Sequence, residues 1–252
     1  MHKFKKVTFN DIKEHLINYT KELRLVDTYW EWYIIDADLY EILIDDDLVG
    51  FFSIHKEENM LTSFHMNPTL PSKSIFENII EEFSVNCAYV VTNDELMLSL
   101  CMDKHVRIEL QAYFFDDSQL EVADAEFSAT MLKLAEEKDL KELEEIDFFH
   151  PLAIHDGENL IYVMRNEQDE FMGAGHIQRM QLERKWGAVG MYVSPDFRQM
   201  GVGRSIILHL KGIVKQMELI PIAGCWYYNH NSSKTLECCG FSSKTRLLKV
   251  YF

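Results

Sequence analysis

The 252-residue chain is 47% hydrophobic and 12% aromatic, enough apolar material for a large core in one domain or two. Its 25 Lys and Arg stand against 41 Asp and Glu, a formal charge of -16 that weighs against binding nucleic acid or an anionic membrane surface; it would attract a cationic substrate, although a solvated, solubilising surface is the default explanation. Five cysteines without a CxxC pair, no His/Cys group at metal-ligand spacing and no apolar run near the roughly 20 residues that span a bilayer set the expectation of a cytoplasmic chain that needs no metal.

The opening MHKFKKVTFNDIKEH is basic but lacks the apolar h-region of a secretion signal. YEILIDDDLVGFFSIHKEE (40–58) reads as two strands around Asp45, Asp46 and Asp47, and LTSFHMNP (61–68) as a short apolar strand stopped by Pro68. Ile75, Phe76, Ile79, Ile80 and Phe83 then recur at helical spacing. The strands CAYVVTN (87–93) and LQAYFF (110–115) follow. DDSQLEVADAEFS (116–128) is a polar junction without the Gly, Ser and Pro content of a floppy linker.

The same order then returns. NLIYVMRNEQDEFMGAGHIQ (159–178) reads as a hairpin turning at Asn166 to Asp169, and AVGMYVSP (188–195) as a strand stopped by Pro195. Ile206, Ile207, Leu210, Ile213, Val214 and Met217 mark a helix with one apolar face, and the strands PIAGCWYYN (221–229) and LLKVYF (247–252) close the chain. The repeat predicts tandem copies of one α/β fold, with residues 1–117 and 127–252 joined by a linker at 118–126. Generic α/β patterning in both halves is the simpler alternative.

Between the strand GMYV and its helix stands SPDFRQMGVGRS (194–205). The first N–H groups of a helix have no internal partner and point outward at the positive end of its dipole. Gly201 and Gly203 leave that backbone bare, Arg198 and Arg204 add charge, and Ser205 adds a hydroxyl, which together make an anion cradle suited to phosphate. A tight turn with close helix packing explains the same glycines equally well.

Here the sequence resembles the GNAT superfamily of N-acetyltransferases, whose R/Q-x-x-G-x-G/A signature stands as Arg198, Gln199, Met200, Gly201, Val202 and Gly203. Met191, Tyr192 and Val193 match the family's preceding strand, and Asn229, Ser232 and the run Leu236–Phe241 (LECCGF) match its downstream pattern, so the resemblance covers roughly 127–252. It implies an α/β (α+β) fold: two tandem GNAT-like domains, each a mixed, mostly antiparallel sheet flanked by helices, with splayed central strands. In the second half GMYV and IAGCWYY would be the splayed pair. It also implies acetyl-coenzyme A as cosubstrate, its diphosphate on the loop and its pantetheine arm along Met191 to Val193. The first half resembles a degenerate copy, with TLPSKS (69–74) where the cofactor loop would stand.

The chain departs from the family at the catalytic pair. WGAVGMYV (186–193) offers no glutamate, and Leu236 stands where many members carry a tyrosine general acid. His176, Glu183, Tyr227 and Tyr228 are the substitute candidates; the bland readings are a sheet histidine, a solvated hairpin glutamate and rim aromatics. Cys225 reads as an inert strand cysteine. Phe148, Phe149, His150, His155 and Asp156 fall where the family builds its acceptor site, and the two histidines are too poorly spaced for a metal. The expected function is transfer of acetyl from acetyl-coenzyme A to a primary amine of a small, cationic molecule by a monomer or homodimer. A catalytically silent acyl-coenzyme A-binding module is the alternative. A nucleotide-phosphate binder is disfavoured because no GxxxxGK[ST] is present.

Overall fold

In a computed structural model, which describes residues 2–67, 69–144, 146 and 159–252, the chain divides into two compact units. The first holds the residues up to Phe114 together with Lys244–Phe252, and the second holds Phe115–Ser243. The proline stop expected at residue 68 lies outside the described residues.

The first unit contains β1 (His2–Val7), α1 (Phe9–Leu23), α2 (Thr28–Ile35), β2 (Asp38–Ile44), β3 (Asp47–His55), β4 (Met60–Met66), α3 (Ser72–Glu82), β5 (Cys87–Val91), α4 (Glu95–Lys104) and most of β6 (Arg107–Asp117). The acidic turn is a two-residue hairpin loop in which Asp45 (φ 52°) and Asp46 (φ 71°) are both left-handed. That geometry matches the twist of the flanking strands. β1 to β4 pair antiparallel in sequence order, whereas β4 and β5 run parallel. Phe52, Phe64, Phe76, Ile79 and Val90 form the centre of the core.

The second unit contains β7 (Leu132–Leu134), α5 (Leu140–Glu144), β8 (Asn159–Arg165), β9 (Phe171–Arg179), β10 (Trp186–Val193), α6 (Val202–Gln216), β11 (Ile220–Trp226) and α7 (His230–Cys238). Its strands lie in the order β11-β10-β9-β8-β7. The expected turn at 166–169 is closed by Asn166, whose side-chain oxygen accepts from the Gln168 and Glu170 N–H groups at 3.0 and 2.9 Å. α6 buries Ile206, Ile207, Leu210 and Val214 completely, each contributing about 1.5–3 kcal/mol. It lies so close to the sheet that a Cβ on Gly175 would stand 2.6 Å from Leu210 Cδ1 and 2.8 Å from the Gly190 carbonyl oxygen. The glycines of GAGHIQ are thus a packing requirement. On the other face, Ile161, Val163 and Ala174 pack with Leu143 and Ile146, and Tyr192 covers them.

β12 (Phe241–Tyr251) departs from the expected division at 127–252. LLKVYF does not close the second unit. Leu247–Tyr251 pair antiparallel with Val91–Cys87, and β12 lies between β5 and β6 in the first unit. All five residues of β5 are buried, and β12 supplies the ladder partners along the edge away from β4. Alternation along β12 brings Leu248, Val250 and Phe252 to the first unit's core.

Candidate functional site

β10 is held by β9 along its length, from Gly187↔Arg179 to Val193↔Gly173. On its other side it pairs with β11 only at Trp186↔Ile220, Gly187↔Pro221 and Ala188↔Ile222. Beyond Ala188 the two parallel strands part, and among the described residues the β11-facing main chain of residues 189–193 has no strand partner. The expected splay therefore begins at Ala188 and Ile222.

The cofactor loop follows that free edge. One 3-10 turn, Pro195–Phe197, leads into Gln199 (φ 64°) and Gly201 (φ 87°), and Arg198 Nε donates to the Val193 carbonyl at 3.2 Å. Gly201 caps α6 in the left-handed conformation that a side chain disfavours, and its carbonyl accepts the Ser205 N–H at 2.9 Å. Among the described residues the N–H groups of Val202, Gly203 and Arg204 carry no backbone hydrogen bond. They are donors at the positive end of a 15-residue helix. Gly203 faces β10: a Cβ there would lie 3.1 Å from Val193 Cγ2 and 3.5 Å from Met191 Sδ. The two glycines thus divide the readings, Gly201 serving the backbone turn and Gly203 the close seat of α6 on β10. Met200 is exposed at the tip of the loop.

Two predicted cofactor side chains are already engaged. Arg204 and Ser205 turn to Glu126, at 3.1 and 3.2 Å, in the segment that enters the second unit. The Asn229-to-Ser232 spacing has a local cause: Asn229 caps α7, its side-chain oxygen accepting the Ser232 N–H at 3.1 Å. The LECCGF run ends α7 with Gly240 at φ 76° and buries Leu236 and Phe241.

The catalytic candidates are scattered. His176 pairs with Gly190, level with the splay, and burial pushes its imidazole down to about 4. Glu183 sits in the β9–β10 hairpin at the opposite end of β10 from the loop, nearly buried beside Lys185 at 3.4 Å. Tyr227 and Tyr228 form a turn after β11, which ends at Trp226. Their rings meet edge to face at 5.1 Å, and Tyr228 is 59% exposed. Cys225 lies near the end of β11. Phe148, Phe149, His150, His155 and Asp156 lie outside the described residues. Among the described residues, no group of three or more His, Cys, Asp and Glu is placed to hold a metal, and no helix is long and apolar enough to cross a membrane.

Sequence reading missed Lys211. It interrupts the apolar stripe of α6 between Ile207 and Val214, which was the available signal. Buried, it donates to Asp117 at 2.7 Å and to the Cys239 carbonyl at 2.9 Å, tying α6 to both flanks of the unit.

Residues 8–118 match the family described as an acetyltransferase (GNAT) domain, and residues 121–241 match the acetyltransferase (GNAT) family. The chain belongs to the GNAT acetyltransferases. It is similar to an acetyltransferase of the GNAT family from Colwellia psychrerythraea, at 17% identity over 99% of both chains with a TM-score of 0.86. A tandem GNAT protein from the clavulanic acid biosynthesis pathway matches at 10% identity over 99% of this chain and 98% of that one, with a TM-score of 0.66. A GCN5-related N-acetyltransferase from Sphaerobacter thermophilus matches at 11% identity over 99% and 95%, with a TM-score of 0.65. These likenesses show the fold, two GNAT domains in tandem. No curated protein sequence matches the chain.

The two GNAT units differ at the splay. In the first, β4 and β5 pair only at Met60↔Cys87 and Leu61↔Ala88, so they too part. Tyr19 of α1 stands in that opening, fully buried. Its hydroxyl donates to Asp94, just after β5, and lies against the Phe64 N–H of β4. α3 begins after Pro71 with no glycine in its first turn. In the second GNAT unit the strand edge and the helix amides are both free of backbone partners among the described residues. That pair of features fits a coenzyme A: three convergent donors for its diphosphate and an open strand edge for its amide-bearing arm.

Proposed function

We propose that this GNAT protein transfers an acetyl group from acetyl-coenzyme A directly to the primary amine of a small cationic molecule. One observation carries the reading: the first-turn N–H groups of α6 have no backbone partner among the described residues, and Gly203 in that turn sits against Val193 and Met191 of the strand whose edge is open beyond Ala188. Hydrogen bonds to a charged group contribute about 1.5–3 kcal/mol each, so three amides are sufficient to anchor a diphosphate. The bound thioester supplies the activated acyl group. The β10 main chain orients it, and the acidic charge of -16 concentrates a cationic acceptor.

The acceptor must lose a proton. An alkylammonium with pKa about 10.4 costs roughly 4.6 kcal/mol to deprotonate at pH 7. His176 does not lower that cost: moving the proton to an imidazole held at about 4 requires about 9 kcal/mol. We therefore assign the proton to solvent, with His176 acting as a neutral polar group beside Gly190.

Thiol release from acetyl-coenzyme A, measured with a panel of polyamines, aminoglycosides and amino-acid amides, tests the proposal. Amine-dependent release with one product acetamide per thiol is the expected result. The burial of Leu236, where many relatives carry a tyrosine acid, favours a second reading as a silent acyl-coenzyme A-binding module. Tight coenzyme A binding without release for any amine would establish that module and overturn the transferase reading. Equal competition by ATP would overturn the cofactor assignment itself.

A further inference from the structure

The segment that enters the second unit is strapped to the first turn of α6. Arg204 donates to the Ala123 carbonyl, to the Asp124 carbonyl at 2.7 Å and to Glu126 Oε1 at 3.1 Å. Ser205 Oγ donates to Glu126 Oε2 at 3.2 Å and accepts the Phe127 N–H at 3.1 Å. The Phe127 carbonyl lies 2.8 Å from His209 Nε2, one turn further along. The Glu126 side chain crosses the open side of Gly201, where an added Cβ would stand 2.7 Å from its Cγ and 3.0 Å from Oε2. Burial works against the ionised carboxyl, but its own main-chain N–H, Arg204 and Ser205 together hold it below the usual glutamate value.

A carboxylate therefore rests on the same helix turn whose amides are free, and it engages the arginine and the serine of that turn. We propose that Glu126 is an internal competitor for the anion cradle: in the free protein it occupies Arg204 and Ser205, and it must swing away when a diphosphate arrives. This inference rests on the coenzyme A reading. The side chain is 44% exposed, so it can leave by rotating into solvent while the backbone bonds from Arg204 and Phe127 stay in place. The segment is then a latch with an electrostatic catch. Its release frees one Arg204 Nη1 donor and the Ser205 hydroxyl proton for the ligand, and its closure keeps them paired when the cradle is empty.

The test compares the full-length protein with E126Q and E126A by titration with coenzyme A and with pantetheine, which lacks the diphosphate. E121Q, an exposed acid in the same segment, controls for bulk charge. Removing a like charge beside an arriving diphosphate predicts coenzyme A affinity about tenfold tighter in E126Q and E126A, with pantetheine affinity and E121Q unchanged. Equal coenzyme A affinity in all four proteins overturns the latch and leaves the coenzyme A reading standing. Weaker binding in E126Q also overturns it, because the carboxylate would then be positioning Arg204 for the ligand. No coenzyme A binding by any of the four proteins overturns the underlying reading, and the latch falls with it.

Discussion

Asp27 offers a quantitative test of the packing in the first unit. It caps α2, its carboxylate accepting the Tyr29 N–H at 2.8 Å, yet the residue is only 7% exposed. Burial raises its pKa from 3.8 to about 6, against a smaller lowering from that one hydrogen bond. The sign follows from linkage. Below the unfolded value both states carry the proton and there is no penalty. Between the unfolded and folded values the unfolded chain ionises while the buried acid keeps its proton, so stability falls with pH until the folded value is passed and the full penalty is in place. The full difference corresponds to about 3 kcal/mol. D27N keeps the capping oxygen, since Asn caps as well as Asp, but removes the ionisation. Urea denaturation of wild type and D27N at pH 4.0 and 7.5, read at the α2 tryptophans Trp30 and Trp32, should show near-equal stability at the lower pH. At the higher pH the variant should gain up to about 3 kcal/mol. A difference between the two proteins that does not change with pH would refute the reasoning.

The remaining expectations concern both units. G203V should lose at least tenfold in coenzyme A affinity while keeping its circular dichroism spectrum, because the new side chain enters the 3.1 Å gap toward Val193 at the cradle; unchanged affinity would remove the loop from the site. H176Q should lower kcat by less than tenfold and leave the pH–rate profile unmoved, whereas loss of a true general base costs about 10²–10⁴ in rate. Y19F should destabilise the protein by about 1–3 kcal/mol in denaturant melts, because Asp94 is buried and Tyr19 is its hydroxyl donor across the first splay. A neutral Y19F would mean that the opening closes without that bridge.

Local patterns were legible in the chain because their causes are local. The apolar stripe of α6 follows from helical spacing, the Asp45-Asp46 hairpin from turn chemistry, and the Arg198–Gly203 loop from the needs of a bare helix start. Asn229 and Ser232 were visible as a linked pair, although their contact proves to be a helix cap. The duplicated order of elements was also written in sequence, since each copy repeats the same alternation of periods.

Long-range choices were not. The strand at 247–252 reads identically whether it pairs with the second unit or with β5 of the first; only the fully buried β5, with an edge to satisfy, decides it. The charge of Glu126 is plain in the polar junction, but its seat on Arg204, 78 residues away, depends on where the folded segment crosses α6. His176 looks like any titratable sheet residue until its surroundings are assembled around it, and burial then removes its basicity. Sequence determined the hairpins, the apolar faces of α3 and α6 and the bare-backbone turn, because neighbours along the chain set those conformations, whereas α1, α2 and α4 were not read from it and emerge only in the fold. Tertiary structure alone decided which edges stay open and which charges meet, because desolvation and pairing depend on distances the chain acquires only when it folds.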